Sequence, residues 1–117
     1  MTTQEIANQL VELCRNGQND QAYKELFAEN AVAVEPAKWN VPDTKGITAL
    51  LEKSKQWQGN LVEMHDASIS DPIIAGNQFA ISMMVDITTK DRGRSKMEEI
   101  CVYEVENGKI IKEQFFH

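Results

Sequence analysis

The chain has 117 residues, of which 42% are hydrophobic and 26% charged, and its net charge is −6. This size and composition predict one ordinary globular domain over residues 1–117. The negative charge argues against nucleic acid and anionic membrane surfaces as partners, because both bind basic faces. The first residues lack the features of a secretory signal, and no stretch is apolar and long enough to span a membrane, so we expect a cytoplasmic protein.

The two cysteines, Cys14 and Cys101, lie far apart in the sequence. Neither belongs to a CxxC pair or to a cluster of cysteines and histidines. The spacing therefore predicts free thiols rather than a disulfide or a metal site.

Helix signals dominate residues 1–60. Thr2-Thr3-Gln4-Glu5 is typical of a capping box, and apolar residues follow at helical spacing as far as Asn16-Gly17. Asp20 is a candidate cap for a second helix, after which residues 31–35 form a short extended piece that Pro36 ends. A loop over residues 36–44 leads to a third helix, which is predicted to begin at Gly46-Ile47 and to end at Gly59-Asn60.

Strand signals fill the rest of the chain. Residues 61–69 and 79–88 are strand-like, and residues 97–117 form two runs joined by Asn107-Gly108, a strong hairpin signal. Helices followed by an antiparallel meander predict an α+β fold, in which three N-terminal helices cover one face of a curved antiparallel sheet.

Alternation in the closing hairpin shows that each of its faces mixes polar and apolar residues. Both faces of the sheet are therefore expected to be covered, one by the helices and the other by a second subunit, which predicts a homodimer. Glu99 and Glu113 each lie among apolar neighbours on their own face. A carboxylate in such a place must pair, take up a proton or line a wet cavity.

Several segments in order carry a family resemblance: residues 26–32 leading to an acid before Pro36, residues 46–50, residues 76–80, and residues 107–110 before an aromatic last strand. With them the whole chain resembles the nuclear-transport-factor-2-like superfamily, in its SnoaL-like polyketide cyclase branch. The resemblance implies a cone with a mostly apolar internal pocket for a small apolar organic ligand, no metal or organic cofactor, and dimers packed sheet to sheet. It leaves the reaction open, since this superfamily includes isomerases, cyclases, dehydratases, hydrolases and binding modules.

Glu35 falls where the similar ketosteroid isomerases place their proton-shuttling carboxylate. Inside an apolar pocket its pKa would be expected to rise, as suits a general base near neutral pH. The alternative is an exposed carboxylate that caps a neighbouring N–H group. On the same alignment Leu10 replaces the isomerase tyrosine and the second acid falls near Cys101, so steroid isomerase activity is not expected.

His65 is the second kind of catalytic candidate, because imidazole suits proton transfer near neutrality. It shares its predicted strand face with Leu61, Ala67 and Ile69, and a hydrogen-bonded structural role is the alternative. SnoaL-like cyclases pair a pocket acid with a histidine, which makes His65, Glu99 and Glu113 candidates beside Glu35.

Large side chains suited to pocket walls are also compatible with ordinary core packing; they are Trp39, Trp57, Met83, Tyr103 and Phe115. The basic residues at positions 90, 92 and 94 are interpreted as a solvated hairpin tip. Two functions remain open. One is a cofactor-free isomerase or cyclase that transfers a proton on a small carbonyl compound, with Glu35 as base and His65 or Glu99 as partner. The other is a non-catalytic module for ligand binding or dimerisation.

Overall fold

The computed structural model describes all residues, 1–117, as three α-helices and seven β-strands. The helices are α1 (Thr3–Arg15), α2 (Asn19–Leu26) and α3 (Ile47–Asn60). The strands are β1 (Phe27–Val34), β2 (Thr44–Lys45), β3 (Leu61–Ile69), β4 (Ile73–Ala75), β5 (Gln78–Thr89), β6 (Gly93–Glu106) and β7 (Lys109–Phe116). The predicted α+β class is confirmed. None of the helices has the length and apolar character needed to cross a membrane.

The helix starts follow local hydrogen bonding. The predicted capping box is present, because the Glu5 N–H donates to the Thr2 hydroxyl at 3.1 Å and the Thr2 N–H donates to the Glu5 carboxylate at 2.9 Å. The predicted cap of α2 is wrong. Gln18 occupies that position, and Asp20 lies inside the helix, where its carboxylate accepts a hydrogen bond from the Ser54 hydroxyl at 2.7 Å. Asp20 therefore ties α2 to α3.

The sheet has the strand order β2-β1-β7-β6-β5-β3, and β4 pairs with the end of β5. Neighbouring strands are antiparallel except β1 and β7, which run parallel. The parallel pair makes the sheet mixed. β1 begins at Phe27, earlier than expected, and lies next to the last strand, β7. The short extended piece predicted over residues 31–35 is one end of this longer strand.

The core lies between the helices and one face of the sheet, here called the inner face. The alternating apolar residues of β5 belong to it as predicted: Phe79, Ile81, Val85 and Ile87 are buried, and Met83 is half-buried. From the helices, Ile6 and Leu10 of α1, Leu26 of α2 and Leu50 of α3 pack into the same cluster. The helices thus cover the inner face.

The closing hairpin sets the register of the functional groups. Asn107 and Gly108 both take positive φ, 51° and 75°, as a tight hairpin turn requires. In the resulting ladder Cys101 faces Phe115 and Tyr103 faces Glu113. On the other side of β7, Ala33 pairs with Glu113, so the end of β1 runs toward Phe115.

Candidate active site

Glu113 of β7 is the one charged residue in the buried core, with 4% of its surface exposed. The Tyr23 hydroxyl of α2 donates to its carboxylate at 3.1 Å. Burial raises the pKa of Glu113 to about 7, although hydrogen bonds from Tyr103 and Tyr23 act in the opposite direction. Glu113 therefore exchanges a proton close to neutral pH.

The groups around Glu113 hold their protons. Burial raises the pKa of the Cys14 thiol to about 12 and also raises the pKa of Cys101, and Glu113 adds to both shifts. Burial likewise raises the pKa of the Tyr23 and Tyr103 phenols. Both cysteines are free, as predicted. Because a protonated thiol is a poor nucleophile, this inner layer offers hydrogen-bond donors rather than thiolate chemistry.

Glu99 and His117 form a second pair nearer the surface. The His117 Nε2 lies 3.4 Å from the Glu99 Oε2, and both side chains are largely buried. Burial raises the pKa of Glu99, and the negative charge of Glu35 raises it further. The Cys101 thiol donates to the same carboxylate at 3.8 Å. Glu99 is thus an acid whose proton affinity has been moved toward the neutral range.

Glu35 and Lys53 form a third pair. Glu35 follows the last residue of β1, Lys53 projects from α3, and their charged groups are in direct contact. The Lys53 ammonium also lies 5.8 Å from the centroid of the Phe115 ring. Its positive charge acts on Glu99 and Glu113, lowering the pKa of each. The three acids therefore belong to one electrostatic cluster around Lys53.

Trp39 lies at the edge of this cluster. The 3₁₀ turn Ala37–Trp39 follows Pro36 and places the indole edge-on to the His117 ring, with 4.6 Å between the ring centroids. The residue remains 45% exposed. A partly exposed aromatic ring beside a largely buried histidine is suited to contacting a bound ligand.

The five residues Glu35, Lys53, Glu99, Glu113 and His117, together called the inner cluster, combine acids and bases from four elements. Such a set can accept, hold and return protons near neutral pH. No group of three or more His, Cys, Asp and Glu side chains has the arrangement of a metal site.

His65 lies apart from the inner cluster. Its ring contacts the Thr88 hydroxyl at 2.7 Å and the Glu63 carboxylate at 3.0 Å. In register it lies beside Ile87, whereas Glu99 faces Met83, so the two are separated by roughly 13 Å along β5. β3 is irregular on both sides of Glu63-Met64, and such a bulge moves a side chain off its expected face.

The proposed wall residues divide into three groups. Tyr103 is core, stacked on Phe79 with 4.8 Å between ring centroids. Phe115 and Met83 are half-buried against the core, and Phe115 lies under Lys53. Trp39 and Trp57 are exposed, and only Trp39 contacts a member of the inner cluster.

Three contributors were missing from the sequence-based site: Lys53, Tyr23 and His117. In the sequence of the last strand, alternate residues share a face, which places His117 with Glu113 and Phe115. This pattern was the available signal for His117. Lys53 is three residues after buried Leu50 and four before Trp57, so helical spacing puts it beside the apolar stripe of α3. Tyr23 shares a helical face with Leu26 and Phe27 in the sequence, a pattern that predicts only core packing.

The other face of the sheet, here called the outer face, carries a shallow depression of about 250 Å³. Its lining includes Ser82, Ile100 and Phe116, which are neighbours across β5, β6 and β7. Ile100 is 51% exposed and Phe116 49% exposed. An apolar surface of this kind on a sheet is a candidate for contact with another protein.

A curved mixed sheet with three helices on its inner face defines a nuclear-transport-factor-2-like, or ketosteroid-isomerase-like, α+β fold. All of residues 1–117 match the SnoaL-like domain, and the chain belongs to this family. The predicted family is therefore confirmed. No curated protein matches the chain.

Solved structures show the same fold. A candidate SnoaL-like polyketide cyclase from Mesorhizobium loti is 37% identical, with a TM-score of 0.92 and 100% of both chains covered. A ketosteroid-isomerase-like protein from Catenulispora acidiphila, in complex with trimethylamine, is 16% identical with a TM-score of 0.75, over 97% of this chain and 85% of that one. TerC, co-crystallised with polyporic acid, is 12% identical with a TM-score of 0.76, over 98% and 91%.

Proposed function

We propose that the inner cluster binds a small, mostly apolar carbonyl compound and transfers a proton on it, as a cofactor-independent isomerase or cyclase does. The observation that carries this proposal is the convergence of Glu35, Glu99 and His117 with Lys53 at the end of the cone where Trp39 stands. The family includes cyclases and isomerases, and two structures of the same fold hold small organic molecules, which supports a ligand of this class.

Glu35 is the proposed base and Glu99 its partner. The Glu35 carboxylate is largely buried and contacts the Lys53 ammonium, which holds it in place. Glu99, with a raised pKa and a histidine beside it, is suited to return the proton. His65, the other partner considered from the sequence, is separated from Glu99 by roughly 13 Å along the sheet and is not included.

The test is hydrogen–deuterium exchange at the carbon next to the carbonyl of small apolar ketones in D₂O, followed by NMR. The wild type is expected to accelerate exchange, and Glu35→Gln to reduce it at least about a hundredfold, the usual contribution of a general base. Glu29→Gln, an exposed change on the same strand, is the matched control and should exchange like the wild type. Equal exchange by Glu35→Gln and the wild type would remove Glu35 from the mechanism.

A non-catalytic binding module is the second candidate. It is favoured by the fact that each acid of the inner cluster already has a partner in the protein, namely Lys53, His117 and Tyr23. Ketone binding without exchange by the wild type or by any variant would select this candidate.

The outer face is the proposed homodimer interface. Ile100 and Phe116 are half-exposed beside the depression between β5, β6 and β7, and burying this area against a second copy would remove it from water. A cytoplasmic location stays a prediction from the sequence.

A further inference from the structure

The inner cluster contains a base but lacks the usual electrophile. Removing a proton next to a carbonyl places negative charge on the carbonyl oxygen, and donors to that oxygen usually supply the largest catalytic contribution. Leu10, which stands in the position of the isomerase tyrosine, is a buried core residue. The Tyr23 hydroxyl is held by Glu113, and Tyr103 is fully buried against Phe79. Glu99 and His117 are paired with each other, which leaves Lys53 as the group placed to accept the electron pair.

Lys53 is the group whose position fits this role. Its ammonium is in contact with the Glu35 carboxylate and lies above the Phe115 ring. The side chain is 41% exposed, whereas that of Glu35 is largely buried. Lys53 thus presents its amine both to an acid that can take its proton and to a ligand that enters from the solvent.

We infer that Lys53 forms a reversible imine with the carbonyl carbon of the bound ligand. This inference rests on the proposed function and adds the ligand class, an aldehyde or an unhindered ketone with a hydrogen on the adjacent carbon. It also makes Lys53 a catalytic residue, because the amine bonds directly to the reacting carbon.

The steps balance with the groups at hand. Glu35 takes one proton from the Lys53 ammonium, and the neutral amine adds to the carbonyl carbon to give a carbinolamine after one proton moves from nitrogen to oxygen. Glu35 then returns its proton to the carbinolamine hydroxyl, water leaves, and the Lys53 nitrogen becomes a protonated imine. The Glu35 carboxylate is free again and removes the proton from the adjacent carbon, while the electron pair flows to the iminium nitrogen. Glu35 then returns a proton to the carbon and restores the iminium. Water adds to the iminium carbon, the resulting carbinolamine expels the amine as the carbonyl re-forms, and the released proton leaves Lys53 as an ammonium group.

The groups around Lys53 favour these reaction steps. The direct contact between the two charged groups places the Glu35 carboxylate within reach of the proton that the Lys53 ammonium must lose. The iminium keeps one positive charge near the place where the ammonium had it, so Glu35 and Glu99 stabilise it as they stabilise the ammonium. Lys55, two residues further along α3, is exposed and provides an internal comparison.

The experiment is reductive trapping of the full chain with benzylacetone, a methyl ketone that carries a phenyl group, and sodium cyanoborohydride, followed by peptide mass spectrometry. The wild type should accumulate one reduced adduct at Lys53, at a rate at least about tenfold above that at Lys55, because its neighbours assist addition. Lys53→Arg keeps the positive charge beside Glu35 and cannot form an imine, so its adduct should be absent. Glu35→Gln should slow trapping at Lys53, and Lys55→Arg should leave it unchanged.

Labelling spread over the lysines according to their exposure, with no preference for Lys53, would overturn the inference. Circular dichroism of Lys53→Arg shows whether this variant is folded, and trapping in Glu35→Gln provides a second, independent measurement.

Exchange in D₂O separates this inference from the proposed function. If Lys53→Arg still exchanges the ketone as fast as the wild type, the imine is wrong and the proton transfer stands. If the wild type does not exchange it, the proposed function fails.

Discussion

Glu113 shows how one residue's surroundings determine its chemistry. Its carboxyl lies in the core between Tyr103 of β6 and Ala33 of β1, and its pKa is raised to about 7 by burial. Alternation in the sequence had placed Glu113 and Glu99 among apolar neighbours, and the raised pKa of each agrees with that prediction. Tyr23 is 90 residues from Glu113 in the sequence, so the sequence alone could not pair them, whereas His117 lies across the closing hairpin from Glu99.

Stability should fall with rising pH because of Glu113. Its folded pKa lies above the ordinary value of 4.5, so between these two values the native state binds more protons than the unfolded state. The free energy of unfolding should therefore decrease as the pH rises from about 4.5 to about 7, by a total of the order of a few kcal/mol. Urea denaturation at a series of pH values measures this slope.

Glu113→Gln should remove most of that slope, because an amide keeps the hydrogen bond from Tyr23 and does not ionise. A residual slope of the same sign is expected from Glu99, whose pKa is also raised. The exposed Glu106→Gln on the same hairpin is the control and should follow the wild type. If Glu113→Gln also followed the wild type at every pH, Glu113 would be solvated rather than buried.

At the scale of elements, the sequence predicted correctly the helix ends and the turn that depend on residues close together in the chain. The capping box of α1, the ends of α3 and the Asn107-Gly108 turn are all present in the structure, because each is set by residues a few positions apart. The parallel pairing of β1 with β7 was missed because it joins opposite ends of the chain. His65 lies beside Thr88, in a strand where bulges interrupt the period of two.

The faces of α1 and β1 can be tested by truncation. Leu10 and Phe27 are buried in the same cluster, and Phe27 packs against Tyr23 with 4.7 Å between ring centroids. Leu10→Ala and Phe27→Ala should each lower the free energy of unfolding by roughly 2–5 kcal/mol. Gln9→Ala, exposed on α1, should change it by less than about 0.5 kcal/mol. Unchanged urea midpoints for both core variants would show that these faces are wrongly assigned.

At the scale of the whole molecule, the sheet separates two roles. Its inner face holds the core and the inner cluster, and its outer face presents Ile100 and Phe116 beside a shallow depression. Successive side chains along β6 and β7 point to opposite faces of the sheet. A chain of 117 residues can therefore carry a ligand site on one face and an oligomer interface on the other.

The homodimer predicted from the outer face has a mass of twice 13.2 kDa. Phe116→Lys should shift the protein to the monomer, because a buried unpaired charge opposes association. Val41→Lys is the matched control, since Val41 is apolar and 49% exposed like Phe116 but lies in the loop between the 3₁₀ turn and β2, off the outer face; this variant should remain dimeric. Light scattering after size exclusion measures the mass. A monomeric wild type at tens of micromolar would contradict the prediction.

The central claim is that the inner cluster, and not the outer face, binds the ligand. The most direct measurement is NMR titration of the labelled protein with benzylacetone while shifts are followed at every assigned residue. The largest changes are predicted at Lys53, Glu35, Phe115 and His117, with little change at Ser82 and Ile100. Changes confined to the outer face, or none at millimolar ketone, would contradict the account.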